Sequence, residues 1–189
     1  MGILDVLNFP DPRLRRSSEP IEKVTDELRQ LAADMLETMY DEPGIGLAAP
    51  QVSHALRLIV MDTEWTEEDA EPRPCVFVNP EIIERSGEIV WNEGCLSVPD
   101  FTAEVKRAER VVLKALDLEG REVVETASGL RAVCFQHELD HLDGVLFIDR
   151  ISRLKRNLYV GKRKKLLQDE GARWTSSGER PPIPIGTKL

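Results

Sequence analysis

His137 and His141 stand four residues apart, with Glu138 directly after the first, in the run QHELDHL from Gln136 to Leu142. On a helix, positions i and i+4 share a face, so the two imidazoles can grip one metal ion while the carboxylate stands beside it as a proton acceptor. That arrangement is the skeleton of a metal-dependent hydrolase, and such a site uses three protein ligands with one open position. An HExxHxxGxxH extension would place Gly144 correctly, but Phe147 occupies its last position. An acid on a following helix is also missing, because no carboxylate lies between Asp149 and Asp169, and Glu170 closes a basic run. Upstream, EGCLS at Glu93–Ser97 sets a cysteine between a glycine and an apolar residue. Cys95 is the best third ligand.

A third block, GIGLAAPQ at Gly44–Gln51, completes a set that resembles, in identity and order, the three signature motifs of bacterial peptide deformylases; the resemblance spans about residues 1 to 168. It implies a hydrolase that removes the N-formyl group from nascent chains beginning with formyl-methionine, with the metal held by Cys95, His137 and His141. Glu138 is then the general acid and base, and the Gln51 amide and the Leu96 backbone N–H stabilise the developing oxyanion. The donor set suits iron, zinc, cobalt or nickel; the resemblance implies Fe2+ in the cell, with Zn2+ as a frequent and less active substitute. Such enzymes often carry an arginine a few residues after the EGCLSxP block, whereas PDFTAEV offers no basic residue before Lys106.

The residues around the motifs suggest a binding pocket. Leu130, Val133, Cys134, His137 and His141 recur at spacings of three and four, so the metal-bearing face continues upstream as an apolar stripe. A stripe that ends at a metal can wall a pocket fit for an unbranched apolar side chain such as methionine. The resemblance adds Ile45 and Trp91 to that wall. Gly44 and Gly46, two residues apart, let the backbone pass close to another segment, either an internal strand or an extended substrate peptide. Gln51 ends this otherwise apolar block and needs a partner if buried. Phe101 reads as a partly buried loop aromatic.

The elements that must position these groups read as α+β. Leu28, Leu31, Met35, Leu36 and Met39 keep helical spacing over Thr25–Asp41, a helix stopped by Pro43 and Gly44. Strand-like runs follow at 56–61, 75–78, 87–91, 110–117 and 122–126, with short connections that predict antiparallel pairing and a hairpin turn at Asp117–Gly120. Residues 62–74, acidic and proline-containing, read as a solvated loop. Ser128–Leu142 is the metal helix, N-capped by Ser128, and 151–168 is a last helix. The expectation is therefore one catalytic domain over 1–168, with antiparallel sheets packed around the HExxH helix and flanked by N- and C-terminal helices. The stretch 169–189 is expected to be a disordered tail.

Composition sets the remaining bounds. A chain of 189 residues suits a single core. Cys75, Cys95 and Cys134 are odd in number and widely separated, which speaks against a disulfide framework. No basic leader followed by an apolar run is present, no segment approaches a membrane span, and Val6 stands where N-myristoylation wants Ser or Thr. A cytoplasmic enzyme with no DNA or membrane partner is expected. Positions 150–165 carry Arg150, Arg153, Lys155, Arg156, Lys162, Arg163, Lys164 and Lys165 and no acid; against a total of −9 the remainder is about −17 by subtraction of these eight. With Leu154, Leu158 and Leu166 taken as its buried side, this helix reads as a nucleic-acid-binding element, and the resemblance to deformylases, which act on emerging chains, implies contact with ribosomal RNA. Two other classes compete with the deformylase: a zinc aminopeptidase, which lacks its downstream acid or third histidine here, and a noncatalytic ribosome-associated module stabilised by metal, which would need neither Glu138 nor Gln51.

Overall fold

The structure, a computed structural model, describes residues 2–65 and 71–177. Helix α1 runs Asp26–Asp41, opened by the Thr25 hydroxyl accepting the Leu28 N–H at 3.3 Å and by two acids in its first turn, which suit the positive end of the helix dipole. It ends one residue before the Glu42 cap, where Pro43 cannot continue it. Leu28, Ala32, Met35 and Met39 are buried, so the methionines are core, and a larger apolar side chain buried in this way contributes about 1.5–3 kcal/mol.

Seven strands follow among the described residues: β1 (Gly46–Ala48), β2 (Leu58–Met61), β3 (Cys75–Ser86), β4 (Ile89–Glu93), β5 (Ala103–Arg107), β6 (Arg110–Leu116) and β7 (Glu122–Ser128). They form a five-stranded sheet of order β1-β2-β3-β6-β7 and a two-stranded sheet β4-β5. Every strand pairing is antiparallel, as the short connections predict. The turn at Asp117–Gly120 closes the β6-β7 hairpin, with the Gly120 N–H donating to the Asp117 carbonyl at 3.0 Å and Gly120 at φ +77°.

The large sheet is covered on both faces, and β2 shows how. Leu58 and Val60 join the cluster under α1, whereas Ile59 and Met61 join the cluster under helix α2 (Gly129–Leu142), the period-2 alternation of a strand buried on both sides. Ser128 occupies the N-cap position of α2 as expected, though its side chain makes no capping bond. Gly144 ends that helix in the left-handed region, φ +72°, where a Cβ would fall 2.5 Å from the Arg15 carbonyl oxygen. This is the structural reason for a glycine at the position that an extended histidine motif would also have required.

Several expectations need correction. The run at 75–78 continues through Pro80 to Ser86, with register irregularities on either side of Ile82. The run at 87–91 lies at 89–93 and pairs with β5; β1 and β5 went unrecognised because three and five residues of mixed character carry little periodic signal. The loop after β2 is not simply solvated. Asp62 is fully buried and accepts from Tyr40 Oη at 2.7 Å and from the Glu64, Trp65 and Arg73 N–H groups, while residues 66–70 lie outside the described residues.

Helix α3 (Arg153–Ser177) runs past Gln168, where the tail was expected to begin; positions 178–189 lie outside the described residues. Its buried side is also not the leucine row. Leu154 and Leu158 are 71% and 67% exposed, while Tyr159 and Arg163 are buried. Tyr159 Oη donates to the Pro99 carbonyl and Arg163 Nε to the Phe9 carbonyl. No helix among the described residues is long and apolar enough to cross a membrane.

Candidate active site

Cys95, His137 and His141 converge: one ligand atom from each lies within 4.8 Å of the others, and the cluster is the one such group of metal-binding side chains among the described residues. Cys95 Sγ and His141 Nε2 are 3.1 Å apart, near enough for one ion with bonds of about 2.3 Å to sulfur and about 2.0 Å to nitrogen to be shared after a slight opening. The imidazoles come from the i, i+4 face of α2. Cys95 comes from the turn after β4, which the Val98 N–H closes on the Cys95 carbonyl at 2.9 Å. The N-terminal segment ties this turn to the Gln51 segment, with the Leu7 N–H donating to the Gln51 carbonyl at 2.7 Å and the Phe9 N–H to the Ser97 carbonyl at 2.8 Å.

The donor set fits a divalent transition metal. His137 Nδ1 is 2.8 Å from Glu93 Oε2, which leaves Nε2 as its ligand atom, in the carboxylate–histidine pattern that fixes tautomer and ring orientation. Glu93 is 1% exposed; burial alone would raise its pKa, but the Arg107 fork, at 2.6 and 2.8 Å, and His137 hold it down at about 2. Burial lowers the pKa of both imidazoles. For His141 this prevails and the pKa falls well below the usual value; for His137, bonds to Cys95 and Glu93 outweigh it and raise the pKa.

Glu138 lines the pocket beside the ligands. Burial, with help from the nearby Glu93 charge, raises its pKa to about 7, and its Oε2 is buried without a partner among the described residues. A proton acceptor poised near neutrality suits general acid–base work. The shift also carries a stability consequence for the metal-free protein. Above the unfolded pKa of 4.5 the unfolded chain releases this proton while the folded chain keeps it, so folded stability falls as pH rises from 4.5 to about 7. The loss then levels off at about 3 kcal/mol. Metal-free Glu138→Gln is thus expected to match metal-free wild type near pH 4.5 and to exceed it by about that amount at pH 8 in urea unfolding; parallel stability curves would contradict the shift.

Every expected pocket residue is brought together. Gly44, Ile45, Gly46, Gln51, Trp91, Leu96, Leu130, Val133 and Cys134 line one cavity with Cys95, His137 and Glu138, and His141, itself buried, meets this group through its contact with Cys95. Gln51 is 2% exposed: its Oε1 accepts the Ala48 N–H at 2.8 Å, and its amide nitrogen lies 3.2 Å from Ser97 Oγ and 3.7 Å from Cys95 Sγ. The Leu96 N–H makes no hydrogen bond among the described residues. Gly46 is the close-approach glycine, since a Cβ there would lie 2.5 Å from Glu138 Oε1 and 2.8 Å from Cys134 Sγ. At Gly44 the obstruction is the flexible Leu96 side chain. Burial pushes the Cys134 thiol well up, so it stays protonated as part of the wall. Phe101 is a partly buried rim residue, stacked on Tyr159 at 4.7 Å between ring centroids.

Glu93, Arg107 and Asp140 were not singled out in the sequence, although Glu93 and Asp140 lie inside the two motifs. The available signal was chemical: a histidine that is to bind a metal needs a fixed acceptor for its second ring nitrogen, and a carboxylate two residues from the candidate cysteine ligand is a fitting supplier.

Comparison with known proteins agrees with this geometry. The polypeptide deformylase family model matches residues 3–157. The chain is similar to a peptide deformylase of Alkalilimnicola ehrlichii, 52% identical over 168 residues, covering 89% of this chain and 93% of that one. It is 55% identical over 163 residues to one of Afipia carboxidovorans, covering 86% and 94%. Among solved structures, a peptide deformylase from Legionella pneumophila superposes with a TM-score of 0.80 at 44% identity, covering 88% of this chain and 98% of that one. One from Ehrlichia chaffeensis in complex with actinonin gives 0.81 at 39% identity, covering 87% and 98%.

Proposed function

The chain belongs to the peptide deformylase family, enzymes that remove the N-formyl group from newly made polypeptides, and from that premise we propose how its own residues carry out the reaction. The observation that carries the proposal is the convergence of Cys95, His137 and His141, with Cys95, His137 and Glu138 lining one pocket. Cys95, His137 and His141 would hold a divalent cation, which when bound would supply an acidified water and polarise the formyl carbonyl that this water attacks. Glu138 accepts the proton that water loses and returns one to the departing amine, giving formate and a free methionine N-terminus. The Gln51 amide and the unengaged Leu96 N–H stabilise the charge that develops on the formyl oxygen. The HExxH helix thus organises the molecule, bearing on one face both imidazoles, the acid–base group and part of the pocket.

The methionine side chain sits among Ile45, Trp91, Leu130, Val133 and Cys134, an apolar wall of the right character. β1 is the edge strand of its sheet, so an extended substrate backbone can run beside Gly44–Gly46. Close backbone walls admit a formyl group and exclude larger acyl groups. For the metal, a thiolate with two imidazoles accepts iron, zinc, nickel or cobalt, and the family resemblance favours Fe2+ in the cell. The test is selectivity: formyl-Met-Ala-Ser should release formate, whereas acetyl-Met-Ala-Ser and unblocked Met-Ala-Ser should remain intact. Removal of methionine from the unblocked peptide would restore the aminopeptidase alternative.

The reading extends to a partner. Arg153, Lys155, Lys162, Lys164 and Lys165 occupy exposed positions of α3 with no carboxylate partner among the described residues, which supports contact with ribosomal RNA and cytoplasmic residence at the source of the substrate. Deleting the segment from 150 onward is a poor test, because Arg150, Tyr159 and Arg163 are built into the body. Reversing Lys155, Lys162, Lys164 and Lys165 to Glu is expected to abolish salt-sensitive ribosome binding, since released counterions make phosphate contacts weaken steeply with salt, and to leave formyl-peptide hydrolysis unchanged. Ribosome affinity unmoved by the reversal would leave α3 with a structural role.

A further inference from the structure

A chain of buried charge leads away from the pocket, starting at His137. Glu93 Oε2 meets His137 Nδ1, and the Arg107 fork grips both Glu93 oxygens. The third arm of that guanidinium, Nη1, donates to Asp140 Oδ2 at 2.6 Å, and both Asp140 oxygens are in turn held by Arg150. The side chains of Glu93, Arg107 and Asp140 are 1%, 3% and 11% exposed, while that of Arg150 is 43% exposed. Arg150 and Asp140 do not touch the substrate pocket. They line a second, polar cavity on the other side of α2, together with Arg85, Lys106, Gln136 and Asp143.

We infer that Arg150 and Asp140 are positioning residues for deformylation, acting on His137 through Arg107 and Glu93. The inference rests on the reading of His137 as a metal ligand. A guanidinium is planar and its donors have fixed directions, so Arg107 can hold Glu93 in a single pose only if its remaining arm is also fixed. Asp140 supplies that anchor, and Arg150 fixes Asp140. Charges alternate along the four residues and sum to zero. Removing the outer member leaves a net buried negative charge that draws the Arg107 guanidinium toward Asp140 and loosens its hold on Glu93. The Glu93 oxygen that sets the tilt and basicity of the His137 ring then shifts with it. A purely structural ion cluster would have no need to end on the second nitrogen of a ligand.

The experiment compares Arg150→Gln and Asp140→Asn with wild type, and uses Arg57→Gln as the control because the Arg57–Asp143 pair lies on the same side of α2 without a link to His137. Arg150 is partly exposed, so its variant tests the inference even where Asp140→Asn folds poorly. The protein is loaded with cobalt, and four quantities are read: kcat, KM for formyl-Met-Ala-Ser, the visible absorption of the cobalt, and its release rate to a chelator. Partners bonded directly to a ligating histidine typically contribute 10–100-fold in activity or metal affinity. The more remote Arg150→Gln is expected to lower kcat about 3- to 10-fold and Asp140→Asn about 10-fold or more. Both should leave KM in place, shift the cobalt ligand-field bands and speed cobalt release, while Arg57→Gln moves none of these. Folded variants with wild-type kcat and wild-type cobalt bands would overturn the inference, as would a loss confined to KM. Wild-type protein lacking a thiolate-to-cobalt charge-transfer band would instead defeat the ligand reading on which the inference rests.

Discussion

Replacing Glu138 by Gln is expected to leave the metal in place and remove most of the turnover. Glu138 stands outside the cluster of ligand atoms, so its loss subtracts no donor. The amide also preserves the volume that Gly46 was small enough to admit, within 2.5 Å of a Cβ position there. What disappears is the proton acceptor, and positioned acid–base assistance is worth about 10² to 10⁴ in rate. Metal analysis after gel filtration and formate release measured on the same sample give both halves of the result. Near wild-type turnover in the variant would show that the proton travels by another route.

Cys95→Ala is expected to lose metal and activity together. The remaining pair of imidazoles on one helix face is a weak chelate, and the thiolate is the only anionic donor in the set. Cys75→Ala is the matched control: Cys75 lies on β3, where its Sγ accepts from Arg131 at 3.5 Å, and it should keep both metal and rate. The same thiolate makes the site sensitive to oxidation when iron and oxygen are present. Equal metal content in wild type and Cys95→Ala would remove Cys95 from the ligand set.

The parts of this site legible in the sequence were those set by local geometry. His137, Glu138 and His141 follow from helical periodicity alone, and the apolar stripe of Leu130, Val133 and Cys134 continues that face into the pocket. Cys95 was legible by its neighbours and by the lack of any other ligand. The close approach implied by Gly44 and Gly46 was legible as a need for space, but not which neighbour fills it; at Gly46 that neighbour is α2 itself. The ladder from Glu93 to Arg150 was not legible, because its members come from β4, β5, α2 and the segment before α3, and no periodicity links them. On α3 local pattern misled: Leu154 and Leu158 keep helical spacing yet face solvent, whereas Tyr159 and Arg163 are buried by partners at Pro99 and Phe9 that are far away in sequence. The charge count there overstates the free basic surface, since Arg150, Arg156 and Arg163 are engaged within the fold.

The central claim is that a single cation held by Cys95, His137 and His141 makes this chain a deformylase, and an anaerobic titration of metal-free protein with Fe2+ tests it most directly. Formate release from formyl-Met-Ala-Ser is followed as metal is added. The account predicts no activity in the metal-free protein, a linear rise and a sharp plateau at one ion per chain. Full activity before any metal is added, or a plateau that Cys95→Ala shares, would contradict it.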